Sequence, residues 1–283
     1  MSIFDGLGKF GLGDLAESNL FEEEKKKQEG AKAAAVAKTP EEIEAEMLLD
    51  KKYKCPQCDK EFTSKVVRSG KAKPIGQDID LRTKYEGIDC TKYEVIMCPH
   101  CGYAALPRYF NGCTPPQLKL IKENISFKFQ SKEYTGAIYT YDEALERYQM
   151  ALINALVKKG KASEKAFICL KSSWVIRGKI ESLDAEKDAE EIQKLQEQEK
   201  EFTKNAYDGF ANARSSESYP MCGMDEYTID YLIAVLAMKN EKYDVAMRML
   251  GGVITARTVN KRLKEKAQDL KEAIVKEKKA REA

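Results

Sequence analysis

Histidine is nearly missing from this chain: His100 is the single one in 283 residues. It sits inside a cysteine motif, so a Cys–His or Ser–His–Asp constellation would need a residue already held there, and histidine-based catalysis is disfavoured. Carboxylate chemistry stays open. Long apolar runs are missing too. The stretch Tyr231 to Met238 is among the longest, far short of the roughly 20 residues a membrane-spanning helix requires, and no membrane partner is expected. No basic stretch followed by an apolar core opens the sequence, and position 2 is Ser2 rather than glycine. Neither a secretory signal nor an N-myristoyl anchor is expected, which makes the cytoplasm the default location. A net charge is also lacking, since 48 Lys and Arg face 46 Asp and Glu. The length suggests about two domains.

Cysteine is plentiful by contrast, with eight residues. Without an export signal they argue for metal and free thiols over a disulfide framework. Four form two knuckles, Cys55-Pro56-Gln57-Cys58 and Cys98-Pro99-His100-Cys101, with 39 residues between them. Together Cys55, Cys58, Cys98 and Cys101 supply the four soft ligands of one tetrahedral Zn²⁺, the pattern of a zinc ribbon. The prolines help fix the turns, and Gly102 falls where a knuckle often needs a positive φ. Four thiolates leave no open position, so the metal is expected to be structural. A dithiol redox pair is the competing reading, which the pairing of motifs disfavours. His100 could replace one ligand, but two complete pairs make that unnecessary. Cys90, Cys113, Cys169 and Cys222 are scattered and read as small buried hydrophobes.

The charge is unevenly spread. Residues 1–50 carry 6 basic against 12 acidic side chains, and residues 51–130 carry 15 against 8. A basic ribbon beside an acidic tail suggests mutual attraction as readily as nucleic acid. Residues 1–38 read as a tail in which Phe4, Leu7, Phe10, Leu15, Leu20 and Phe21 stand among glycines and charge; it is either passive or a segment that orders on a partner. Gly6 to Gly11 matches the dinucleotide fingerprint by letter, but no strand precedes it and no βαβ unit surrounds it. Thr39 and Glu42 form a capping box with Pro40 at the first helical position, predicting a short helix to about Leu49. Glu61–Arg68 and Tyr93–Met97 read as strands. Thr114 and Gln117 repeat the capping signal, and helices are predicted over about 118–129, 135–158, 164–180 (Ser163 as cap), 184–215, 226–239, 242–256 and 260–281. Asp184 to Lys200 reads as a solvated face. Tyr141, Ala144, Tyr148 and Ala151 share their spacing with Tyr243, Ala246, Leu250 and Val253, as in the second helix of a tetratricopeptide repeat.

Between the knuckles, Arg68, Asp78, Asp80, Arg82, Tyr85 and Tyr93 form a polar group. Ion pairs and caps tying a long insertion to a small domain are the favoured reading over a polar site. The same stretches, with Phe62, Val67-Arg68-Ser69, Asp78 to Arg82 and Cys98 to Ala104, resemble a bacterial family known as domain of unknown function 2225. Further blocks agree: Tyr148 to Leu152, Trp174 to Arg177, Gly223 to Glu226 and Tyr231 to Ile233. The resemblance covers about residues 53–256. It implies a zinc-ribbon-like start and a tetratricopeptide-like remainder, with no activity attached.

The expected fold is mainly α with a small β zinc ribbon and helical hairpins resembling tetratricopeptide repeats. The expected organisation is a flexible acidic tail (1–38), a short helix plus zinc ribbon (39–113) and an α-helical repeat-like part (114–283). The expected function is a non-enzymatic cytoplasmic adaptor with one structural Zn²⁺, binding a protein through its helices or its tail. A nucleic-acid or ribonucleoprotein-associated zinc-ribbon factor is the alternative, and an enzyme built on Asp78, Asp80 and Arg82 is a third reading. Oligomeric state, partner and pathway have no signature in the sequence.

Overall fold

Thr39 caps a helix as its sequence predicts. Its N–H donates to the Glu42 carboxylate at 2.9 Å, and the Glu42 N–H returns a bond to Thr39 Oγ1 at 3.2 Å. This helix, α1 (Pro40–Glu46), ends three residues earlier than predicted. A computed structural model describes residues 38–132 and 134–282, so the tail expected over residues 1–38 lies almost wholly outside the described residues. Internal contacts divide the chain after Ile43, and residues 44–283 form one body.

The helix stops because the next residues are needed as a strand. β1 (Leu48–Lys54) pairs antiparallel with β2 (Glu61–Val67) over its whole length, from Leu48 opposite Val67 to Lys54 opposite Glu61. The hairpin thus closes over the first knuckle. A smaller hairpin follows, β3 (Pro74–Gln77) with β4 (Thr83–Tyr85). The strand predicted over Tyr93–Met97 is a correction. Cys90–Tyr93 form a 3₁₀ turn capped by Asp89, whose carboxylate accepts the Thr91 N–H at 3.0 Å. Only Ile96–Met97 are extended, as β5, pairing with β6 (Ala104–Ala105) across the second knuckle. Tyr93, Val95, Ile96 and Met97 are all buried, so the alternation in the sequence does not mark two strand faces.

Helices make up the rest: α2 (Pro107–Phe110), α3 (Pro115–Ile121), α4 (Tyr141–Val157), α5 (Ala162–Ser182), α6 (Ala189–Ser216), α7 (Glu226–Lys239), α8 (Tyr243–Thr255) and α9 (Lys261–Glu282). Gln117 serves the start of α3 as predicted, accepting from the Thr114 N–H at 3.0 Å and its hydroxyl at 3.3 Å. That helix relaxes into a π-turn at Lys122–Ser126 instead of running to 129. α4 begins six residues after the predicted 135, because Thr140 and Glu143 form another capping box, at 3.1 and 2.8 Å. Ser163 is not the cap of α5. Lys161 holds that position, while the Ser163 amide and hydroxyl go to Glu217 at 3.0 and 2.5 Å.

Four apolar clusters form among the described residues, the smallest being Leu48, Ile88, Tyr93 and Tyr139. The largest joins α5 to α9 through Leu170, Trp174, Phe210, Leu232 and Leu250. A second gathers Cys55, Phe62, Tyr103 and Phe110 with Ile121 of α3 and Ile125. A third sets Val95, Met97, Ala104 and Leu106 against Ala144, Tyr148 and Ala151 of α4 and Ile168 of α5. The last two layers run across residue 114, so ribbon and helices share buried surface where the sequence suggested a division. In both Tyr-x-x-Ala helices the small residue is fully buried, Ala144 in α4 and Ala246 in α8.

Candidate metal centre

The two knuckles are the same turn used twice. In the first, the Cys55 N–H donates to the Lys60 carbonyl at 3.0 Å and the Asp59 N–H to the Cys55 carbonyl at 2.9 Å. In the second, the Cys98 N–H donates to the Tyr103 carbonyl at 2.8 Å and the Gly102 N–H to the Cys98 carbonyl at 3.1 Å. Asp59 and Gly102 occupy matching places and both have positive φ, 58° and 72°. The short strands on either side hold the turns facing one another.

Their sulfurs converge. Cys55 and Cys101 lie 3.6 Å apart, Cys58 and Cys98 3.7 Å, and all four sulfurs fall within 4.8 Å of one another. Zinc–sulfur bonds of roughly 2.3 Å place tetrahedral sulfurs about 3.8 Å apart, so the donor set fits a four-sulfur ion. Hydrogen bonds from Cys101 and Cys55 pull the Cys98 thiol down to about 2, whereas the Cys101 thiol is pushed up by its bonds to Cys55 and Cys98. Neighbouring thiolates oppose one another, and a dication held among the four sulfurs would compensate them. Cys55, Cys98 and Cys101 are buried and Cys58 is half-buried. His100 is no ligand: it is exposed, and its Nε2 lies 3.3 Å from the Glu61 carbonyl, tying the second knuckle to β2.

Aromatic rings enclose the site. Phe62 and Phe110 lie 5.8 and 5.7 Å from the Tyr53 ring, and Tyr103 lies 5.2 Å from Phe110 while donating to its carbonyl at 2.6 Å. Behind the second knuckle, Phe129 covers Gly102 and the Asn154 amide donates to the Gly102 carbonyl at 2.9 Å. A Cβ on Gly102 would meet Phe129 at 2.5 Å.

The group between the knuckles is a clamp of ion pairs. Asp80 is wholly buried and receives Arg177 of α5 at 2.6 and 3.1 Å and Lys239 of α7 at 3.0 Å. Arg177 also donates to Asp78 at 3.0 Å and to Glu199 of α6 at 2.8 Å. Arg82 reaches Glu181 of α5 at 2.9 Å, and the Tyr231 hydroxyl donates to the Ile79 carbonyl at 2.9 Å. Burial alone would raise the Asp80 pKa, but the bonds and charges of Arg177 and Lys239 prevail and hold it at about 2. Asp78, Asp80 and Arg82 therefore come together, as ion pairs that tie the insertion to α5 and α7 and not to the ribbon. Arg177 and Lys239 carry that tie, with Glu199 of α6 holding Arg177. Arg177 falls in one of the blocks that carry the family resemblance, but no pairing with the insertion could be read there, and Lys239 and Glu199, distant along the chain, had no signal.

The sequence from residue 48 to residue 274 matches the family described as "Uncharacterized protein conserved in bacteria (DUF2225)". The chain belongs to this family. No curated protein and no solved structure matches it. The DUF2225 region encloses both knuckles, the clamp and the helices through most of α9. Within it the remaining cysteines stay apart from the four-sulfur group as free thiols. Burial, with Asp89 adding to it, pushes Cys90 up to about 12, and burial alone does the same for Cys169. Cys113 sits 3.3 Å from the Tyr103 hydroxyl, and Cys222 donates to the Ser163 carbonyl at 3.2 Å. Among the described residues no helix is long and apolar enough to cross a membrane.

Proposed function

We propose that this chain is a non-enzymatic cytoplasmic adaptor, in which a structural zinc ribbon is joined to tetratricopeptide-like helical hairpins that bind a protein partner. The observation that carries this reading is the four-sulfur shell, whose atoms lie within 4.8 Å of one another under aromatic cover. Thiolates favour zinc among the common divalent ions, and four of them complete its tetrahedron, which leaves no position for substrate. The clamp supports the same reading, because Asp80 and Arg177 are each engaged in several ion pairs. The pair α7 and α8, joined through Asn240–Lys242 and packed over Ala246, supports the hairpin reading. Ile153 and Leu156 on α4 expose apolar surface of the kind partners cover.

A second reading, a nucleic-acid or ribonucleoprotein-associated factor, has one observation in its favour. Lys51, Lys52 and Lys54 of β1, with Lys60 in the first knuckle, present exposed positive charge on the ribbon. Affinity capture of the full chain from its native host, with and without nuclease, separates the two. A defined protein that stays bound through a salt wash and nuclease supports the adaptor. Material whose nucleic-acid absorbance falls away with salt supports the second reading and overturns the first.

A further inference from the structure

A cavity of about 640 Å³ opens between the β1–β2 hairpin, the second knuckle and the start of α4. Its size suits a small ligand. At its inner wall lies Arg147, only 6% exposed, the one guanidinium there. Every neighbouring cation has a carboxylate: Lys65 lies 3.4 Å from Asp50, and Lys132 lies 2.6 Å from Glu146. Arg147 has none among the described residues, and its Nε and Nη1 are sealed from solvent without any acceptor. What it does have is rings. Its guanidinium carbon lies 4.0 Å from the Tyr139 ring centre and 5.0 Å from that of Tyr134. Ring faces offset part of a cation's burial but accept no N–H bond along the guanidinium edge. A buried charge in this condition is costly and calls for a counterion.

We propose that the cavity is an oxyanion site, in which Arg147, through Nη2, the guanidinium nitrogen that is not sealed, receives a singly charged carboxylate or phosphodiester group of a small ligand. Among the described residues Lys65 and Lys132 are compensated and Arg147 is not, which favours a singly charged group. Thr63, Ser131 and Thr135 also line the wall. The rings of Tyr134 and Tyr139 hold the guanidinium in place before the ligand arrives, which lowers the ordering cost of binding.

The test is an NMR titration of the ¹⁵N-labelled full chain with acetate and with dimethyl phosphate, against chloride at matched ionic strength. Saturable shifts of the Thr63 and Thr135 amides with acetate assign a carboxylate ligand, and with dimethyl phosphate a phosphodiester. No saturable shift beyond chloride from either anion overturns the proposal. Arg147→Met removes the charge without orphaning a partner, and should weaken binding about tenfold or more. Equal binding by that variant also overturns the proposal. Should Arg147→Met not fold, Lys132→Met decides: Lys132 is exposed at the rim, its loss frees the Glu146 charge, and binding should weaken severalfold. Unchanged binding in that variant would overturn the proposal.

Discussion

The two knuckles share a backbone turn and differ in everything around it. The first stands on the β1–β2 hairpin, with Asp59 exposed at its left-handed position and paired only with Lys54 at the surface. The second is roofed by Phe129, bonded by Asn154 and backed by the layer that joins β5 and β6 to α4. Cys55 of the first knuckle packs with Ile121 of α3, whereas the second is fastened to the longer helices α4 and α5. The insertion between them is fastened again, by Asp80 to α5 and α7. A metal site of four equal sulfurs is thus mechanically lopsided.

The most damaging test of that difference is at the ligands. Cys98→Ser opens the tetrahedral shell and should abolish binding of one zinc per chain, read by elemental analysis of reduced protein. The accompanying fall in melting temperature should exceed that of Cys58→Ser, because Cys98 is buried in the knuckle fastened to α4 and α5 and Cys58 is half-buried in the other. Equal losses would mean that the metal alone, and not its surroundings, governs the ribbon.

Next in size is the clamp. Arg177→Met leaves Asp78 and Glu199 without their main cation and Asp80 with Lys239 only, and should cost about 3–5 kcal/mol in chemical denaturation. Lys54→Met, which breaks the exposed pair beside the first knuckle, should change stability by less than about 1 kcal/mol. The acid limb is smaller. Asp80 titrates at about 2 in the folded chain and near 3.9 unfolded, so its contribution is complete above about pH 4 and disappears as the pH falls towards 2. The loss is on the order of 2 kcal/mol, and Asp80→Asn should flatten that part of a stability-against-pH curve. Smallest is the contrast at the turn itself. Gly102→Ala combines a left-handed backbone with the approach to Phe129 and should destabilise by about 1–3 kcal/mol. Asp59→Gly at the matching place should stay within about 1 kcal/mol of the parent. Thermal melts of the two variants side by side would sharpen or erase the distinction between the knuckles.

Local chemistry explains what could be read in advance. Cysteine spacing announces four ligands because the chemistry needs only those side chains, and the mainly α architecture with its small ribbon follows from capping signals and periodicity. The boxes at Thr39 and Thr114 act within a few residues and were legible. The box at Thr140 was equally local, but an irregular segment after residue 127 hid it. Leu48–Lys54 could not be told from a helix end, because its strand state depends on Glu61–Val67 across the knuckle. Tyr93–Met97 misled for the opposite reason: its alternation looks like two faces, yet burial covers both. The roles of Arg177 and Arg147 were not legible, because they come from what surrounds them, buried carboxylates in one case and rings without carboxylates in the other.

The metal and the clamp also interact as constraints on a ring of chain. Ion binding at the knuckles closes a loop containing the 39 residues between Cys58 and Cys98. On chain-entropy grounds a cross-link over such a loop is worth about 4 kcal/mol. Asp80 docks near the middle of that loop, so with the clamp engaged the ion closes two shorter arcs in place of one long one. Each doubling of loop length costs only about 0.6 kcal/mol. Releasing the insertion should therefore weaken metal affinity by only about threefold through entropy, so that an ion bound at the knuckles would stay while the long arc swings free of the helices.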